Sequence, residues 1–336
     1  MEVGEMSLLK TKISDFRYDE GNLSILKNID LEIAQGELVV ITGLSGCGKT
    51  TLTRILNGLI PHHYGGIFNG EVKLFDKHLM NYEKGELAKY IGNVFQNPSD
   101  QFFATIAEEE VAFVGENLGM PLEELKQKTK EAFEKMGISD LMDKKLSELS
   151  GGQKQKVAIA STLLYDTQIV FFDEPSSNLD YQGIVQFRDI VCTLREMGKT
   201  VIIAEHRLFF LNDLYDRLIY MKDGTIERVF SQGELTENDC KKYGLRAISY
   251  KSLKAQNLGA EQEKAASIVD LNINIGKQEL IKNLSFDLHY GEIMAIIGKN
   301  GIGKTTLGRT LAGLIKNKGK ISYGKTTKER LKQAYY

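Results

Sequence analysis

Gly43-Leu44-Ser45-Gly46-Cys47-Gly48-Lys49-Thr50 is a glycine, four residues, and then Gly-Lys-Thr. It follows the apolar run Leu38–Thr42 and opens a helical pattern expected over Thr50–Leu59. In that setting the pattern is a phosphate cradle. Glycines let the backbone curl so that its N–H groups face inward on an anion. The helix that follows adds its positive N-terminal end. A lysine at position 49 reaches the β- and γ-phosphates, and the hydroxyl of Thr50 takes a position on Mg²⁺.

The same pattern recurs. Gly36–Ile60 reads GELVVITGLSGCGKTTLTRILNGLI and Gly291–Ile315 reads GEIMAIIGKNGIGKTTLGRTLAGLI. Lys49 and Lys304 set the offset at 255 residues, and Leu26-Lys27-Asn28 keeps it with Ile281-Lys282-Asn283. Self-similarity over this length marks a duplicated domain rather than a short structural repeat. The first copy is read as 6–240, the polar stretch 241–266 as a linker with a short helix or two, and 267–336 as the start of the second copy. Leu38–Thr42, Ile169–Phe172 and Val201–Ala204 are continuously apolar, as strands buried on both faces are. Leu9–Phe16, Ile29–Ile33 and Glu71–Phe75 look antiparallel, and Glu123–Met136 and Gln153–Leu164 have helical spacing. The expected fold is α/β, with a β-subdomain and a helical insertion, followed by a partial second copy.

Bulk composition fits this reading. The chain has 336 residues, 42% apolar and 26% charged, which is globular rather than disordered. A net charge of -2 gives no global field to recruit nucleic acid or anionic lipid. Cys47, Cys192 and Cys240 are too few and too scattered for a disulfide framework or a zinc site. Met1–Asp15 carries Glu2 and Glu5 without a long apolar core and is not expected to be a secretory signal. No apolar run approaches the ~18 residues that span a bilayer, so contact with a membrane is expected through a partner. His62 and His63 follow Pro61 in a loop and read as structural or exposed, not as metal ligands.

A phosphate cradle alone does not choose a reaction. Leu149-Ser150-Gly151-Gly152-Gln153 precedes the helical run Lys154–Leu164, and serine and glycine at a helix start make another anion site. Taken alone that stretch is an ordinary N-cap. Then Ile169-Val170-Phe171-Phe172-Asp173-Glu174-Pro175 is a buried strand ending in two carboxylates. Asp173 can hold Mg²⁺ directly or through water, and Glu174 can polarise an attacking water. Asp180 follows in Ser177-Asn178-Leu179-Asp180, and His206 follows the strand Val201–Ala204.

With these residues the sequence resembles the ABC ATPase family, over the whole first copy and the second as far as it goes. The resemblance implies ATP and Mg²⁺ as cofactors and ATP hydrolysis as the activity. It places Walker A at Gly43, Leu44, Ser45, Gly46, Cys47, Gly48, Lys49, Thr50 and Thr51. It makes Gln96 the Q-loop glutamine, catalytic and a metal ligand, and Ser150, Gly151, Gly152 and Gln153 the signature that meets ATP. Asp173 and Thr50 would hold the metal, Glu174 and His206 would be catalytic, Asp180 would belong to the D-loop, and Tyr18 would stack on adenine. In the second copy the nucleotide contacts would be Gly298, Lys299, Asn300, Gly301, Ile302, Gly303, Lys304, Thr305 and Thr306, with Thr305 on the metal. The aromatic is lacking there, with Ile273 and Ile275 nearby.

Asp100–Gly119 is similar in wording to the ATPases of energy-coupling factor transporters, the prokaryotic importers of vitamins, cobalt and nickel. It departs from them at Val114-Gly115. That resemblance implies an integral transmembrane coupling subunit, a separate substrate-binding membrane subunit, and face-to-face pairing of ATPase domains. It implies a peripheral place on the cytoplasmic face of the cell membrane, and no nucleic acid. The competing class is a soluble tandem ABC ATPase acting on ribosomes or nucleic acid. The short, mildly basic linker and the absence of a coiled-coil insertion between Lys49 and Ser150 weigh against it. Counterparts of Gln96, Ser150, Asp173, Glu174 and His206 would fall beyond Tyr336. The 336 residues are therefore expected to be part of a chain about as long as two such domains.

Overall fold

A computed structural model describes residues 7–19, 23–83, 85–249, 263–275, 278–299, 301–316 and 318–323. The chain forms two compact units, Met1–Lys251 and Ser252–Tyr336.

The first unit holds two sheets. β1 (Ser7–Arg17), β2 (Leu26–Ala34), β4 (Ile67–Leu74) and β5 (Lys77–His78) form an antiparallel sheet in the order β2-β1-β4-β5. The second sheet is built on β3 (Leu38–Gly43), β6 (Ile91–Val94), β7 (Ile169–Asp173), β8 (Thr200–Ala204), β9 (Arg217–Lys222) and β10 (Thr225–Ser231). Its order is β10-β9-β3-β8-β7-β6, parallel throughout except for the edge strand β10.

Side-chain alternation explains why β3, β7 and β8 read as unbroken apolar runs. Leu38 and Val40 enter one core with Val170, Phe172, Val201 and Ile203. Val39 and Ile41 enter another with Ile169, Phe171 and Ile202. The first core is closed by α3 (Ala107–Asn117), α4 (Leu122–Lys135), α5 (Gly151–Thr162) and α6 (Tyr181–Glu196), through Val111, Phe133, Val157 and Phe187 among others. The second lies under α1 (Lys49–Leu56) and the antiparallel sheet, with Leu52, Ile55, Leu9 and Ile29.

Helix α1 is shorter than the expected Thr50–Leu59. It stops at Leu56, because Gly58 takes a left-handed φ of 79° and the single turn α2 (Leu59–His62) begins anew. Past Glu234, α7 (Glu237–Tyr243) is tied to the first unit, with Tyr243, Leu245 and Ile248 packed on its core.

In the second unit, β11 (Lys264–Ile275), β12 (Gln278–His289) and β13 (Lys318–Tyr323) form a sheet of order β12-β11-β13 around Ala266, Ile268, Leu271 and Ile273. Helix α8 (Lys304–Leu311) follows the second glycine loop and places Leu307 in that small core. The strand expected before this loop does not form. Residues 292–299 are irregular, with Ile293 96% and Ile297 89% exposed. Each such side chain forgoes about 1.5–3 kcal/mol of burial. In the first unit, β8 and β9 flank the corresponding strand, and no such neighbours stand there among the described residues of the second unit.

Candidate nucleotide-binding site

The glycine loop lies between the C-terminal end of β3 and the first turn of α1. Gly43, Gly46 and Gly48 have φ of 151°, 79° and 103°. At Gly43 a Cβ would lie 2.3 Å from the Met221 carbonyl oxygen, so this glycine is required by space as well as by dihedral. Lys49 is 5% exposed and folds its ammonium back over the loop. Its Nζ donates to the carbonyls of Gly43 at 3.1 Å and Leu44 at 3.2 Å, and lies 3.8 Å from Cys47 Sγ. A buried cation bonded to neutral groups is placed to favour an anion in the loop.

Beside it, the Thr50 hydroxyl donates to Asp173 Oδ1 at 3.3 Å, joining the start of α1 to the end of β7. Burial pushes the Asp173 carboxyl above its ordinary range, and Glu174 adds to the rise. The Thr50 hydrogen bond, Arg54 and Lys49 act against it. A divalent cation at this hydroxyl and carboxylate would relieve the cost of desolvation. The cradle, the lysine and the Thr50–Asp173 pair therefore fit ATP with Mg²⁺.

Glu174 has a left-handed backbone, φ 45°, which costs a non-glycine residue about 1–3 kcal/mol. Its N–H donates to Ala204 O at 2.8 Å, holding the end of β7 against the end of β8. This brings Glu174 Oε1 to 3.2 Å from His206 Nε2. Gln96 lines a cavity of about 290 Å³ together with Arg54, Asn93, Asp100 and Asp173. Tyr18 is half-buried, edge-on to Phe16 at 5.0 Å, and its hydroxyl is 3.2 Å from Thr51 Oγ1.

Ser150 and Gln153 form a reciprocal capping box at the start of α5. Gln153 N donates to Ser150 Oγ at 3.3 Å and Ser150 N to Gln153 Oε1 at 2.9 Å. Ser150 and Gly151 are exposed. Asp180 caps α6 by accepting from Gly183 N at 2.9 Å.

The second loop repeats the first. Gly298, Gly301 and Gly303 have φ of 153°, 81° and 104°, and Lys304 Nζ donates to the carbonyls of Gly298 and Lys299 at 2.8 Å each. Lys299, Ile302, Thr305 and Thr306 lie on this loop and the start of α8, while Asn300 lies outside the described residues. The Lys304 bonds are open to solvent, whereas that of Lys49 to Gly43 is buried. Ile273, at the Tyr18 position, is fully buried in the sheet.

Two residues near the site are not singled out by the sequence patterns. Arg54 stands one turn after Thr50 on α1, with its guanidinium 4.3 Å over the Tyr64 ring, and it favours the ionised Asp173. The i, i+4 spacing from Thr50 is the available signal. Glu205, next to His206, is 2% exposed, and a charged residue closing an apolar strand is the clue.

The family model described as ABC transporter matches residues 26–177 and again 281–335. A Treponema denticola protein provisionally named ABC transporter ATP-binding protein is 38% identical over 319 residues, covering 92% of this chain and 65% of that one. A Bacillus subtilis protein provisionally named HMP/thiamine import ATP-binding protein YkoD is 34% identical over 94% of this chain and 63% of its own length. The chain thus spans slightly under two thirds of these relatives. Among solved structures, cbiO1 of Clostridium perfringens, described as part of the ABC transporter complex cbiONQ, superposes with a TM-score of 0.62. It is 31% identical over 68% of this chain and 90% of that one. A dimeric ATP-binding cassette bound to ADP and Pi gives 0.56 at 29% identity, covering 68% of this chain and all of that one.

Proposed function

Because the chain belongs to the ABC transporter family, we propose that it binds ATP with Mg²⁺ and hydrolyses it to drive a membrane importer of the energy-coupling factor kind. The observation that carries the reading is the convergence of Lys49, Thr50, Asp173, Glu174 and His206 at the C-terminal ends of adjacent parallel strands. Bound Mg²⁺ supplies charge neutralisation on the phosphate oxygens. Lys49 holds the β- and γ-phosphates, Thr50 and Asp173 fix the metal, and Gln96 faces the same cavity as Asp173. Glu174 polarises the attacking water, with His206 keeping its carboxylate in place. Tyr18 offers a ring face to adenine.

Ser150 and Gly151 are exposed, and we assign the Ser150–Gln153 stretch to the nucleotide of a facing ATPase domain. Each site is then complete only in a pair, and ATP favours closure because it is what the opposite signature grips. The second glycine loop, with Lys304 and Thr305, is proposed as the phosphate cradle of a second ATPase domain.

Among the described residues no helix is long and apolar enough to cross a membrane. The proposed membrane contact is Phe102–Asn117, through a transmembrane coupling subunit that works with a substrate-binding subunit. There Phe103 is 76% exposed and stacks on Phe113 at 4.9 Å. The import activity in the name of the Bacillus subtilis relative and the place of Clostridium perfringens cbiO1 in a transporter complex support import through a multisubunit assembly.

The test is phosphate release from ATP by these 336 residues, in which pairing of first domains must occur between chains, over a range of protein concentrations. Release that needs Mg²⁺, with specific activity falling on dilution, is expected. Undiminished activity at high dilution overturns the paired site, and no Mg²⁺-dependent release overturns the ATPase reading.

A further inference from the structure

Glu205 is buried between the two loops that carry Glu174 and His206, and both of its oxygens are taken by backbone donors. Oε1 accepts from His206 N at 2.7 Å and Arg207 N at 2.9 Å. Oε2 accepts from Ser176 N at 3.2 Å, two residues after Glu174. The Glu205 backbone is itself fixed, its N–H donating to Ile41 O at 3.0 Å on the strand that leads into the glycine loop. A second tie runs beside the first, from Arg207 Nη1 to Ser176 O at 3.2 Å.

A carboxylate at 2% exposure is costly unless its acceptors are filled. Here three N–H groups fill them, two from the loop of His206 and one from the turn of Glu174. One side chain therefore joins the two loops into a single hydrogen-bonded body. With the bond from Glu174 N to Ala204 O, the turn is held on both sides of the Glu174–His206 contact.

We propose that Glu205 is a positioning residue for ATP hydrolysis, locking His206 in register with Glu174 by clamping its loop to the Ser176 turn. The inference rests on the ATPase reading above. The bonds from the Glu205 carboxylate to the two loops all go to backbone N–H groups, so it acts by placing the main chain. Simple filling of buried N–H groups would affect stability and leave the ratio of kcat to KM effects unpatterned.

The test is Glu205→Gln in the full chain, assayed for Mg²⁺-dependent ATP hydrolysis beside the wild type, with Tm measured on both. A glutamine has a single acceptor oxygen. When it serves His206 and Arg207, the amide NH₂ faces the Ser176 N–H, so the tie between the loops is cut while the His206 loop keeps its own turn. The expected result is kcat lower by about ten- to a hundredfold, with KM for ATP within about twofold, since a small misplacement costs that much in rate. Unchanged kcat, or a fall in kcat/KM carried by KM, overturns the inference. If the glutamine variant does not fold, Glu205→Asp carries the test, because its carboxylate keeps the charge but is one methylene too short to serve both loops at once. A lower kcat at steady KM supports the clamp, and a wild-type kcat overturns it. A wild type without Mg²⁺-dependent turnover removes the ATPase reading itself, which is a different outcome from an active wild type matched by Glu205→Gln.

Discussion

His206 Nε2 stands 3.2 Å from Glu174 Oε1, across the ends of two neighbouring parallel strands. The contact exists because Glu174 adopts a left-handed backbone and bonds to Ala204, which aims its side chain along the sheet's C-terminal edge.

Glu174→Gln is expected to keep ATP binding and to lower turnover by about 10²–10⁴-fold, since an amide cannot act as the base that polarises water. Nucleotide binding and phosphate release, measured on the same preparation, decide it. Turnover within a fewfold of wild type would remove Glu174 from the catalytic role.

Lys49→Ala is expected to weaken ATP binding at the first loop by about ten- to a hundredfold for each charge-assisted hydrogen bond to phosphate that is removed. The ammonium folds back over the loop, bonded to the Gly43 and Leu44 carbonyls, where an anion in the cradle would meet it. An equilibrium titration with unaltered affinity would end this assignment.

Phe103→Ser with Phe113→Ser is expected to abolish assembly with the proposed membrane subunit while ATP binding and Tm stay near wild type. Phe103 is 76% exposed, so little core is disturbed. Phe102 packs against the main core and is left intact, because its replacement would confuse folding with docking. The loop backbone is held separately, with Phe103 N and Ala104 N donating to the buried Glu110 at 2.8 and 2.9 Å. Normal assembly and transport by the double variant would place the docking surface elsewhere.

Asp173 gives a pH signature. Its carboxyl is raised above the ordinary range by burial, then by Glu174. A group raised in the folded state stabilises that state below its unfolded pKa, and the contribution is lost as pH rises through the folded pKa. In the nucleotide-free protein, Asp173→Asn is therefore expected to raise Tm near neutral pH. The gain should shrink as pH falls toward the ordinary aspartate range. Thermal melts across that window read the sign directly, and a variant less stable than wild type at neutral pH would contradict it.

Much of the site was legible in the sequence because its parts are local. Gly43–Thr50 carries glycines where the pattern calls for positive φ or close approach, and the structure has φ of 151°, 79° and 103° there. The paired carboxylates Asp173 and Glu174 close an apolar run whose alternate residues enter two different cores, which is how a strand buried on both faces must read. The repeated glycine loop was also visible, since the two stretches share residues at a fixed offset, and they have matching dihedrals and lysine bonds.

What only the tertiary structure decided are the relations between distant segments. That Asp173 meets Thr50 and that Glu174 meets His206 follow from the strand order β3-β8-β7, which no spacing in the chain encodes. Glu205 could be noticed as a charge after a strand, yet its three backbone partners come from two loops that meet only in the folded sheet. The stretch before the second loop shows the converse. Ile293–Ile297 has the apolar pattern of a strand but stays exposed and irregular. A parallel strand is made by the neighbours that bond and cover it, and its own residues supply only the potential to be one.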